Sequence, residues 1–131
     1  MLSLIQELTL AVIFGGMVTF QILFAPLVFT KLEMTIARPF IRAFFPFYYL
    51  YFGILSIVLL VVALVNNNLY LSMWSAAIAT GFIIARQALM PLANKATDEG
   101  KPKVFKRYHM ATVLINTLQL IAIVWIYYAQ I

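Results

Sequence analysis

Within the apolar stretch HMATVLINTLQLIAIVWIYYAQI, His109, Thr112, Asn116 and Gln119 recur at steps of three, four and three residues. A helix turns 100° per residue, so these four side chains share one arc of about 80°. Such a stripe can hydrogen-bond a polar ligand, move a proton at the imidazole, or tie one helix to its neighbour. Arg86 is the natural partner. On a helix it shares a face with Ser72, Ser75, Ala79 and Ile83, three of them small, and small residues mark the side that packs on other helices. Counting at about 1.5 Å per residue puts Arg86 about 26 Å from Leu69. Gln119, Asn116 and Thr112 lie about 15, 20 and 25 Å from the end of their own segment, so Arg86 is level with Thr112. Gln21 lies at a similar depth and Gln87 is adjacent to the arginine.

These residues need a frame, and composition says which kind. Of 131 residues, 65% are hydrophobic and 10% charged, where a soluble domain carries nearer a quarter charged. Four apolar runs, 4–24, 47–65, 69–90 and 111–129, each approach the length that crosses a bilayer. None alternates with the period of a membrane strand, so the fold class is an all-α membrane protein, a four-transmembrane-helix bundle formed by residues 1–131 as one domain. The first run has no basic residue ahead of it and no small-residue cleavage site behind it, so it reads as a retained anchor. No internal repeat aligns.

All nine basic residues lie in or beside the connections between runs one and two and between runs three and four. The other side offers only the Asn66-Asn67-Asn68 turn and the two ends. The positive-inside rule therefore predicts cytoplasmic connections and extracytoplasmic termini, as for a bacterial inner-membrane protein. The net charge of +5 serves orientation and contact with anionic headgroups. No recognition helix or stacking module accompanies it, so no nucleic-acid partner is expected.

Tyr70, Trp74, Trp125, Tyr127 and Tyr128 form an expected aromatic belt. The run FFPFYYLYF, Phe44 to Phe52, suits a second belt kinked at Pro46, or a surface on which a flat ligand stacks. The second helix is expected to begin near Pro39 and the fourth at Pro102. Ala11, Gly15 and Thr19 offer a close-packing face on the first.

With no cysteine and one histidine, thiolate metal sites are excluded, His109 is the only imidazole available to a metal, and a monomer cannot hold a bis-histidine haem. No catalytic constellation emerges: Asp98 and Glu99 are adjacent, and no serine or threonine has an activated base.

FAPLVF after the first run, the FFPFYY start of the second, RQALMPLAN from Arg86 to Asn94, and an aspartate at Asp98 followed by His109, Thr112 and Asn116 together resemble the transmembrane protein 205-like family. The likeness covers most of the chain. It implies a four-helix membrane bundle with a cytoplasmic-side polar cluster of Arg86, Asn94, Asp98, His109 and Asn116. A more distant similarity runs to copper-resistance D proteins and to a haem-dependent protoporphyrinogen oxidase. The expectation is a protein, not an enzyme, that binds a small polar or anionic solute or a metal complex, and helps to export it, through Arg86, Asn94, Asp98, His109, Thr112, Asn116 and Gln119. Two alternatives stand beside it: a redox enzyme with haem shared across a homodimer, and a structural or assembly subunit whose stripe meets another membrane protein. The cofactor is left open.

Overall fold

The computed structural model describes Leu2–Gln130, with the side chains of 3–129. Four rods cross the molecule. The first is α1 (Leu2–Thr19), a π turn (Phe20–Phe24) and α2 (Ala25–Lys31); the second is α3 (Met34–Val65). The third is α4 (Leu69–Ile84), a π turn (Ala85–Leu89) and α5 (Met90–Asp98); the fourth is α6 (Pro102–Gln130). All four are long and apolar enough to span a bilayer, and among the described residues there is no strand. This is a membrane bundle.

The rods outrun the apolar segments at their basic ends. The second begins at Met34, not near Pro39, and carries Pro39 and Pro46 inside it. The first and third run through Pro26 and Pro91 because a π turn precedes each. Ala25 N–H returns to Phe20 O and Met90 N–H to Ala85 O, wide turns that hold one residue more than an α turn. A proline just after such a turn sits at the start of a fresh α segment, where its missing N–H is tolerated.

Short turns join the rods. Asn67 has φ 54°, a left-handed conformation that asparagine tolerates, and Asn68 caps α4 by accepting from Leu71 N–H at 3.0 Å. Gly100, at φ 67°, turns the chain into α6 without a Cβ clash. Along the molecule α1 packs on α3, α3 on α4, and α4 and α5 on α6, while α6 also meets α1. The core is apolar: Leu10, Ile13, Met17, Leu59, Leu71, Ile78, Phe82, Ile123 and Ile126 are sealed in it. The residues between them along each rod face outward as large apolar side chains, the surface that lipid covers.

One correspondence escaped the sequence. Gly16, the first π turn and Pro26 are spaced as Gly81, the second π turn and Pro91 are, and the interval from each feature to its counterpart is the same. The chain is two like hairpins joined at the Asn66–Asn68 turn. Too few residue identities accompany the match for sequence alone to align it.

Candidate functional site

The site lies toward the basic end, where the third rod passes between the second and the fourth. Arg86 is the second residue of its π turn and is half-buried. Its Nε donates to Pro46 O at 3.1 Å and Nη1 to Gln87 Oε1 at 3.2 Å. Among the described residues its recorded bonds include no carboxylate. The charge is therefore held by neutral dipoles, an arrangement that leaves Nη2 for another acceptor.

Arg86 thus reaches α3, whereas the sequence pointed it at the stripe on α6. The small face was read correctly as far as Ser72, Ser75 and Ala79, which are buried. Ile83, placed on the same face, is 51% exposed.

The stripe divides by depth. Gln119 is buried, and its Nε2 donates to Ile78 O on α4 at 2.8 Å. Gly81 makes that approach possible, since a Cβ there would stand 2.6 Å from Gln119 Nε2. Gln119 Oε1 and Asn116 Oδ1 are sealed from solvent and, among the described residues, have no hydrogen-bond partner. Thr112 is half-buried and spends its hydroxyl on Tyr108 O at 2.7 Å, within its own helix. His109 is exposed and lies flat on Phe105, ring centroids 5.7 Å apart and planes 12° off parallel. Asn94 is half-buried on α5.

Asp98 does not join this group. Its carboxylate takes a two-pronged bond from Arg42 on α3, Nη1 to Oδ1 at 2.7 Å and Nη2 to Oδ2 at 2.8 Å. The fork of the guanidinium matches the carboxylate, which is why an arginine one rod away captures it rather than His109. Beside it Glu99 pairs with Lys101 at 2.9 Å, and that hydrogen bond holds the Glu99 carboxyl below its ordinary range, with the Lys101 charge adding to it.

The expected single cluster is therefore three arrangements: an exposed ion pair, a cation held on the α3 backbone, and a sealed pair of amide oxygens. Among the described residues no three histidine, cysteine, aspartate or glutamate side chains come together to hold a metal ion. Sequence reading missed Pro46, Gly81 and Arg42, of which Gly81 gave the one available signal, a glycine within an apolar helix.

The aromatic run proves to be a packed seam. Phe44 stacks on Phe20 with centroids 5.3 Å apart, Phe45 on Tyr49 at 5.5 Å, and Phe52 on Phe82 at 5.8 Å. Beside it a lipid-facing groove of about 530 Å³ runs past Gly15, Thr19 and Phe47. Ala11, Gly15 and Thr19, the expected packing face, are exposed, and nothing lies within 4 Å of where a Gly15 Cβ would stand. The close contact runs through Gly16, where a Cβ would meet Phe52 Cζ at 2.7 Å.

Residues 8–102 match the family described as a domain of unknown function, DUF4149. The chain belongs to this family. The matched stretch takes in three rods, with Arg86 and the Arg42–Asp98 pair, and stops where α6 begins, so the stripe lies outside it. Comparison of this DUF4149 chain with curated proteins gives no match, and comparison with solved structures gives none.

Proposed function

We propose that this membrane protein binds a small anionic or polar solute at its basic end, which faces the cytoplasm, with Arg86 as the anchor, and that binding is the first step of export. The observation that carries the reading is a half-buried guanidinium within an apolar rod that, among the described residues, is bonded to a carbonyl and an amide alone. A cation inside a span costs about 2.5–3.5 kcal/mol at the bilayer centre, and less toward the boundary where Arg86 stands, unless it is paired or wetted. An anion at Nη2 offsets part of that cost with a charge-assisted bond. The remaining basic residues, from Lys31 to Arg107, stand around the same end and raise the local concentration of anions. A likeness to the transmembrane protein 205-like family is compatible with this and names no solute.

The test is titration of the protein in lipid nanodiscs with inorganic phosphate, sulfate and a small carboxylate. At least one should bind saturably, and Arg86→Gln should weaken it tenfold or more, while Arg107→Gln, which removes one of the surrounding charges from the exposed face of α6, should weaken it far less. Equal binding by Arg86→Gln, or no saturable binding of any of the three, overturns the reading.

A further inference from the structure

Arg86 stands in one of two wide turns, and the position of that turn decides which way the side chain faces. Ile78 and Gly81 meet α6 at Gln119. Ala85, fully buried, continues that face, and Arg86 stands about 100° round from it, toward α3. A π turn holds one residue more than an α turn, so every residue it passes is rotated by about one residue's worth of helix. If the turn moves one helical turn toward Leu69, so that it lies over residues 81–85, Arg86 takes the angular place that Ala85 has now and faces α6. Gly81 lies in the segment that must widen, and glycine resists such a change least.

A partner waits on α6. Asn116 Oδ1 and Gln119 Oε1 are both sealed and, among the described residues, both without a donor. In a bilayer no bulk water makes up that loss. The bond from Gln119 Nε2 to Ile78 O decides which end of that amide points away, so its oxygen is a committed acceptor. Asn116 is one helical turn from Gln119 and about one turn in depth from Arg86, within reach of an arginine side chain. A guanidinium carries five donors and can serve both oxygens.

We infer that Arg86 alternates between two stations, Pro46 O on α3 and the Asn116 and Gln119 oxygens on α6, as the π turn shifts along the third rod. The first hairpin supplies an internal contrast, because its own π turn carries the uncharged Gln21 at the matching place, exposed and with no recorded bond to a neighbouring rod. The role of this motion in export rests on Arg86 being the solute's anchor. The motion itself does not.

The chain has four arginines, at 38, 42, 86 and 107, so the Nε–H signals of the protein labelled with ¹⁵N-arginine in nanodiscs are few, and Arg86→Lys identifies the one that matters. Without added anion, that signal should show two environments or exchange on the microsecond to millisecond scale. Asn116→Asp should shift the population toward α6 by tenfold or more. Asn116→Leu combined with Gln119→Leu, which keeps the volume and removes both acceptors, should leave only the Pro46 environment. One unexchanging Arg86 signal, the same in wild type and in whichever of these variants folds, overturns the inference. Since no anion is present, that failure leaves phosphate binding untouched, and loss of anion binding leaves the two stations untouched.

Discussion

At Gly16 the first hairpin admits the ring of Phe52 against helix backbone, and at Gly81 the second admits the amide of Gln119. The architecture is the same and the chemistry opposite. Phe52 also packs on Tyr48, at 4.8 Å between centroids, and on Phe82, so the first contact spreads over many weak, undirected interactions. The second rests on one directed hydrogen bond and, among the described residues, leaves Ser75 Oγ, Asn116 Oδ1 and Gln119 Oε1 unpaired, against the Tyr48 hydroxyl in the first. A seam of the first kind resists displacement in every direction, whereas one of the second kind gives way once a better donor is offered. The difference teaches where motion belongs: the aromatic hairpin is the frame and the polar hairpin the moving part.

The largest effect that separates them should come from truncating each contact. Phe52→Ala should lower stability by about 3–5 kcal/mol, the usual cost of emptying an aromatic core position, and Gln119→Leu by about 0.6–2 kcal/mol, the worth of one interhelical hydrogen bond in a membrane. Reversible unfolding in mixed micelles measures both, and equal losses would erase the distinction. The glycines sharpen it. Gly16→Ala pushes a Cβ into a ring walled in by Tyr48 and Phe82, and overpacking of that kind costs about 1–3 kcal/mol. Gly81→Ala meets the Gln119 amide, which can swing aside at the loss of its bond to Ile78 O, about 0.6–1.7 kcal/mol, and Ile115 Cγ2 at 3.0 Å, which must give by a few tenths of an ångström. A greater loss at Gly81 than at Gly16 would show that the polar seam is the rigid one.

How much of this could be read in advance differs between the same two regions. Four spans and the turn at Asn66–Asn68 follow from length and hydropathy, both of which are local. The stripe on α6 was legible too, because helical phase needs no neighbour. What Arg86 touches was not, since it depends on a π turn that inserts an extra residue, and nothing in ARQAL announces a wide turn. The same holds for the packing face of α1, where phase allowed Gly15 or Gly16 and only the position of Phe52 chooses between them. Asp98 was assigned to the wrong group because its partner, Arg42, lies on another rod.

The smallest expected effect lies outside the bilayer, in the turn of the second hairpin that has no acidic counterpart pair in the first. Lys101 holds the Glu99 carboxyl below its ordinary range, so the folded form is favoured at pH values above about 4.3, where an unperturbed glutamate is ionised. That contribution fades as pH falls through the depressed folded value. Melting midpoints of wild type and Glu99→Gln should therefore differ slightly at pH 7 and converge in acid. A gap that widens in acid would mean that Glu99 acts through its protonated form.

The Arg42–Asp98 clasp has a consequence in time. Its two residues lie 56 apart in the chain, and a ribosome adding about 5–20 residues per second needs about 3–11 s to go from one to the other. The first hairpin is completed at Val65 partway through that interval, and until its end Arg42 has no aspartate to hold. Closing the clasp requires the third rod to be threaded and its basic end to have arrived on the same side as that of the second. The pair therefore closes late, only once the basic ends of the two hairpins lie side by side.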